Sequence, residues 1–240
     1  MEWTGEPVVG RGVVERAFTL DVDGRTVPGI VWTPEGATGT RPLVAIGHGA
    51  TLHKRVDYVL SLARRFVRHH GYAAVALDAP DHGERGGLSD LLVFIEAMRR
   101  PGIVDETVAE WHAAVAAVQQ LPEVGTGPLG YWGLSMGTIF GLPYVASEPR
   151  VEVAVLGLMG TVGAPEDRLV KDAARVACPV LYFQQWDDEL FRRDDVLALF
   201  DAVGTRGKRL HVHPGGHSGL PREAYEASEA FVASVLGAPR

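Results

Sequence analysis

Short apolar runs recur along this chain, each followed by a polar motif and then by residues at helical spacing. The runs cover residues 43–46, 73–77, 128–132, 153–158 and 180–183. A run of this length without a polar face fits a strand covered on both sides. Strand, helix and strand joined by short links build a parallel sheet. Ligands of such sheets bind beyond the carboxyl ends of the strands. The polar motifs fall there: Gly47-His48-Gly49-Ala50, Asp78 to His82, Ser135, Asp187-Asp188 and Gly215-Gly216-His217. The expected fold class is therefore α/β, with a mostly parallel central sheet and helices on both faces.

The intervening segments agree. Strand-like residues 13–22 and 26–32 flank Asp23-Gly24, a pair suited to a tight hairpin turn. Val56, Val59, Leu60, Ala63, Phe66 and Val67 share one helical face that Gly71 ends. Val104, Val108, Trp111, Val115 and Val118 form the stripe of a longer helix, closed by Pro122. Helices over 194–203 and 222–236 and a strand over 209–213 complete the pattern. The alternation pauses at 84–102, where Leu88, Leu91, Leu92, Phe94, Ile95 and Met98 predict an inserted helix with a wide apolar arc. That arc suits packing on its own domain or a small cap over the site. Residues 161–177 read as a polar loop or a second cap piece. No repeat or linker divides the chain, so one domain over 1–240 is expected.

Charge and cysteine content narrow the functional classes. A net charge of -7 argues against nucleic acid or an anionic membrane as partner. No apolar run approaches the ~20 residues of a membrane span, and the first residues lack a secretory signal pattern. The single cysteine, Cys178, permits no internal disulfide and reads as a small buried hydrophobe. A cytoplasmic protein is expected.

Gly133-Leu134-Ser135-Met136-Gly137 fits G-x-S-x-G between a strand and a helix. With seven serines and 29 glycines, about 0.1 such matches would arise by chance, so the remaining motifs carry the weight. A serine hydroxyl needs a base to take its proton. Of nine histidines, His217 follows the last strand in a glycine-rich loop able to reach the serine, with His213 its main competitor. His69 and His70, ending a helix, and His112 within one, read as surface or packing residues. A carboxylate must hold the histidine tautomer; Asp187 and Asp188 both lie where it belongs, and spacing alone does not separate them. The oxyanion donors expected are the backbone amides of Met136 and Ala50.

Together these motifs resemble the α/β-hydrolase superfamily, and within it the dienelactone-hydrolase-like and peptidase-like esterases. The resemblance runs from about residue 41 to the last helix. It implies a catalytic triad of Ser135, Asp188 and His217. Asp188 is favoured because it then occupies the acid position of a Gly-x-x-Asp-x-x-hydrophobic pattern, with Gln185 replacing the glycine and Phe191 as the hydrophobe. Dienelactone hydrolases proper carry a cysteine nucleophile, so the serine points instead to a carboxylesterase acting on a small-molecule ester without a cofactor. Asp81, His82 and Arg85 read as turn hydrogen bonds and ion pairs at the site rim. Asp81, His82, His211 and His213 are of metal-ligating type, but their spacing demands no metal. Residues 88–98 with Trp132, Phe140, Trp186 and Phe191 are candidates to line an apolar pocket. Peptidase or amidase, acyltransferase and C–C hydrolase activities share this machinery, and a non-catalytic binding role is the remaining alternative.

Overall fold

The computed structural model describes residues 1–87, 90–161 and 168–239. Its strands are β1 (Glu2–Gly10), β2 (Val13–Val22), β3 (Arg25–Pro34), β4 (Leu43–Gly47), β5 (Ala73–Leu77), β6 (Leu129–Gly133), β7 (Val151–Gly157), β8 (Val180–Gln185) and β9 (Lys208–His213). The helices are α1 (Asp57–His70), α2 (Leu91–Ala97), α3 (Ile103–Val118), α4 (Met136–Ser147), α5 (Arg168–Ala173), α6 (Arg193–Ala202) and α7 (Arg222–Leu236). The nine strands form one sheet in the order β1-β2-β3-β5-β4-β6-β7-β8-β9. β1, β2, β3 and β5 pair antiparallel in succession; from β5 through β4 to β9 every pairing is parallel.

The antiparallel end is set by two-residue turns. Asp23 and Gly24 both take positive φ (52° and 77°) between paired Val22 and Arg25, the geometry that matches the twist of the flanking strands. Arg11 and Gly12 do the same (51° and 75°) between Gly10 and Val13. β1 is absent from the expectations above. All nine of its residues are exposed, so no buried face marks it in the sequence.

Alternation within the buried strands divides the core. Leu43, Ala45, Ala73, Val75, Leu129 and Tyr131 face the layer holding α3, α4, α5 and α6. Val44, Ile46, Ala74, Ala76 and Trp132 face α1 and α7. The first layer is packed closely around Tyr131, which is fully buried and donates its hydroxyl to the Gly137 carbonyl at 2.7 Å. A Cβ at Gly141 would overlap the Tyr131 ring. Gly141→Ala is therefore expected to destabilise the protein by about 1–3 kcal/mol despite alanine's better helix propensity; the urea midpoint measures it.

The two segments that interrupt the alternation are short. Within 84–102, α2 has only seven residues, and Leu92, Val93 and Ile95 are 76%, 57% and 46% exposed while Phe94 and Met98 are buried. The helix is short, so one turn of contact absorbs Phe94 and the rest of the arc meets solvent. Leu88 lies outside the described residues. Within 161–177, read as a polar loop or a second cap piece, residues 162–167 lie outside the described residues, and the rest carries α5, whose Leu169 and Ala173 pack into the core.

Candidate active site

After β5 the chain returns across β4 to form β6, so strand order reverses between β4 and β6. A crevice opens at the carboxyl ends of strands at such a point. Two loops meet there, residues 48–56 after β4 and the serine turn after β6.

Ser135 sits at φ 56°, ψ −121°, outside the regions that L-residues favour. The conformation is held from both sides. Its N–H donates to the Gly157 carbonyl at the end of β7 (2.9 Å), and the Gly137 N–H closes onto the Leu134 carbonyl (2.9 Å). Thr138 Oγ1 accepts the Gly157 N–H at 2.9 Å and lies 3.0 Å from the Gly133 carbonyl. The motif's glycines are dictated by crowding: a Cβ at Gly137 would come within 2.9 Å of the Gly47 carbonyl, and one at Gly133 within 2.8 Å of the Gly137 carbonyl. The side chain is thereby presented at the N-terminus of α4, the positive end of that helix.

His217 reaches the serine from the loop between β9 and α7. Its Nε2 lies 2.9 Å from Ser135 Oγ and its Nδ1 2.8 Å from Asp188 Oδ2. The Asp188 side chain is buried, and its other oxygen accepts the N–H groups of Leu190 (2.8 Å) and Phe191 (3.0 Å). Burial works against its charge, but the His217 ring and these two N–H groups outweigh burial and hold the carboxyl below the usual range. It is ionised at neutral pH. The nearby acids grip the backbone instead. Asp187 accepts the Gly215 N–H at 3.2 Å, Glu189 accepts the His217 N–H at 2.9 Å, and Gln185 donates to the Gly216 carbonyl at 3.2 Å. Sequence reasoning does not assign Glu189 or Gln185 this part. The only signal was an acid directly after the Asp pair and a glutamine where a glycine is usual.

The opposite wall is the loop after β4. The Gly49 N–H donates to the Tyr58 hydroxyl at 2.7 Å, and Thr51 takes φ 62°. Among the described residues, the N–H groups of Ala50 and Met136 have no acceptor. His48 links this loop to the end of β5. Its Nδ1 pairs with the Gly49 carbonyl at 2.8 Å, and its Nε2 accepts the Ala79 N–H at 3.1 Å. Burial pushes His48 down to about 4, so it is neutral at pH 7 and these roles are stable.

A buried ion pair anchors the same loop. Asp78 is fully buried and accepts the Lys54 N–H (2.9 Å), the Lys54 ammonium (2.5 Å) and the Glu84 N–H (3.0 Å). Burial opposes its charge, and these three donors overcome it, holding the carboxyl below its ordinary value of 3.8. A carboxylate depressed in the folded state stabilises above the unfolded value and loses that contribution as pH falls through the folded one. Asp78→Asn leaves the buried Lys54 ammonium with the more exposed Glu84 carboxylate, at 2.6 Å, as its remaining charged partner, at an expected cost of about 3 kcal/mol at pH 7. The gap to wild type in urea midpoint should narrow as pH is lowered below about 4.

Other candidates are placed elsewhere. His213 stacks on Phe183 with ring centroids 5.9 Å apart, and its Nε2 is buried without a partner rather than paired with the serine. Trp132 is buried between Tyr58 and Tyr225 and donates to Ser228 at 3.0 Å, so it is part of the core. Trp186 is half exposed beneath Arg193. Phe191 lies 5.6 Å from the His217 ring, and Phe140 borders a cavity of about 10 Å³ beside Met136, space for no more than one water. A wider cleft of about 590 Å³ is walled by Arg25, Asp81, Arg85 and Arg100 and includes none of Ser135, Asp188 and His217. Arg85 forks onto Glu110 at 2.6 and 2.8 Å, and His82 Nδ1 pairs with the Pro80 carbonyl at 2.7 Å. Among the described residues, no cluster of three metal donors forms around Asp81, His82, His211 or His213. Cys178 is pushed up to about 12 by burial and is no thiolate at neutral pH. Among the described residues, no helix is long and apolar enough to cross a membrane.

Relatives place the chain in a class. The sequence model of the X-Pro dipeptidyl-peptidase (S15) family matches residues 164–219, the stretch that carries Asp188 and His217. No curated protein sequence matches. A cold-adapted esterase from an Arctic intertidal metagenomic library, in its PEG-bound complex, is 42% identical with a TM-score of 0.91, covering 99% of this chain and 100% of that one. The zinc-bound structure of that esterase matches at 39% identity and TM-score 0.86, covering 99% and 100%. A dienelactone-hydrolase-like promiscuous phosphotriesterase from metagenomic libraries shares the fold, at 20% identity and TM-score 0.76 over 94% of this chain and 100% of that one. The chain belongs to the α/β-hydrolase superfamily, in one family with the Arctic esterase. It is a carboxylic ester hydrolase.

Proposed function

We propose that the protein is a serine carboxylesterase that cleaves small carboxylic esters through an acyl-enzyme. The observation that carries this reading is the hydrogen-bonded line from Ser135 Oγ through His217 to Asp188. Ser135 Oγ attacks the ester carbonyl as His217 Nε2 takes its proton. The oxyanion forms against the Met136 and Ala50 N–H groups, where each donor is worth about 3 kcal/mol. The C–O bond then breaks, and the alcohol leaves with the proton held on Nε2. Water attacks the acyl group, again losing a proton to Nε2, which returns it to Ser135 as the acid departs. Asp188 stays ionised throughout and fixes the Nδ1–H tautomer. No metal or cofactor enters these steps.

Short acyl groups fit the exposed setting of α2, whose Leu92, Val93 and Ile95 face solvent and so wall no deep channel. Hydrolysis rates along a series of p-nitrophenyl esters from acetate to dodecanoate test this, with kcat/KM expected to peak at the short end. Long-chain preference would overturn the small-ester reading. The S15 match supports a second reading, cleavage after proline; Ala-Pro-p-nitroanilide turned over faster than p-nitrophenyl acetate would favour it.

A further inference from the structure

His69 and His70 are the last two residues of α1, and Glu229 lies on α7, 160 and 159 residues away in sequence. His69 Nδ1 approaches Glu229 Oε1 to 2.7 Å, and His70 Nε2 approaches the same oxygen to 3.0 Å. The three donor atoms lie within 4.8 Å of one another. Glu229 is buried, while the His69 side chain is 48% exposed, so the group is anchored on one side and open to solvent on the other. From these donors we infer a divalent metal site of zinc type, apart from the catalytic machinery, that staples α1 to α7.

The chemistry of the set suits zinc. Two imidazoles and a carboxylate are its ordinary nitrogen and oxygen ligands, and a water from the open side completes four-coordination. Bonds of about 2.0–2.1 Å in a tetrahedron place ligand atoms about 3.4 Å apart, so the two imidazole–carboxylate spacings of 2.7 and 3.0 Å need to open by less than about 1 Å, and the two ring nitrogens, within 4.8 Å of each other, need to settle at the same separation. Arg65 grips the other oxygen, Oε2, at 2.5 Å and leaves Oε1 to the histidines; such outer partners orient a metal-ligating carboxylate. The negative end of α1 favours a cation at its last turn. On binding, the proton of each ring moves to its other nitrogen, His69 Nε2 and His70 Nδ1, so both imidazoles coordinate as neutral ligands. The Arg65 charge beside the site lowers its affinity for a cation. The pair reads from sequence as two surface histidines, because the third donor comes from the far end of the chain.

The site lies at the end of α1 that leads into the start of β5, whereas Ser135 sits beyond the carboxyl ends of the strands. The test uses chelator-treated protein titrated with zinc by calorimetry and with cobalt by visible absorption. Wild type should bind one more zinc per chain than the His69→Ala/His70→Ala variant and show the bands of four-coordinate cobalt. The variant should bind more than about 100-fold more weakly at this site. Its ester hydrolysis without metal should be unchanged, as a fold control. Zinc at a hundredfold excess over Kd should raise the wild-type Tm by about 5 °C and leave that of the variant in place. His211→Ala/His213→Ala should bind as wild type does. Absence of zinc binding in wild type, or equal binding in wild type and the His69→Ala/His70→Ala variant, would overturn the assignment.

Discussion

Ser135→Ala is expected to lower kcat for p-nitrophenyl acetate by about 10⁶-fold, the scale seen when a triad nucleophile is removed, with circular dichroism unchanged. The alanine keeps the Cβ and the strained backbone at φ 56°, so only the attacking oxygen is lost. Residual turnover would then come from water acting on an ester still held against the Met136 and Ala50 amides. A glycine at 135 separates strain from chemistry. Glycine adopts positive φ at little cost, so Ser135→Gly should be equally inactive yet more stable than Ser135→Ala by about 1 kcal/mol. Thermal unfolding of the pair measures the strain directly.

Asp188→Asn should reduce kcat by about 10⁴-fold. The asparagine fills the same space between the Leu190 and Phe191 N–H groups and His217. It removes the charge that stabilises the imidazolium, and its amide favours the wrong ring tautomer. Asp187→Asn should cost only a few-fold. That side chain is exposed and touches the Gly215 N–H rather than the imidazole. Steady-state kinetics on the two variants, with KM compared separately, distinguish a group acting on the histidine from one holding its loop. An equal loss in both would mean that loop position, and not the Asp188 charge, governs the rate.

How much was legible in the sequence depended on whether a residue's neighbours were local. The runs at 43–46, 73–77 and 180–183 announce themselves because a strand buried on both faces has no polar residue to hide it. Ser135 is legible for a related reason: its glycines are required by contacts within a few residues of it and by β4. β1 offers no such signal, since its nine exposed residues are held by pairing with β2 and by Trp3 packing edge-on to Phe18. Asp187 and Asp188 are adjacent in sequence but differ by the side of the loop they face, a property that spacing does not encode. The apolar arc of 84–102 misleads because periodicity reports a face but not whether anything covers it. His69 and His70 acquire meaning only from Glu229.

Stoichiometric reaction with a fluorophosphonate, read by intact mass and peptide mapping, tests the role of Ser135 most directly. The reagent reports at once on an activated serine, its base and the oxyanion donors, since all three are needed for rapid phosphonylation. One adduct per chain is expected, located on Ser135, with ester hydrolysis lost in proportion and no adduct on Ser135→Ala. Folded wild-type protein that stays unlabelled, or that is labelled elsewhere while Ser135→Ala still hydrolyses esters at the wild-type rate, would contradict it.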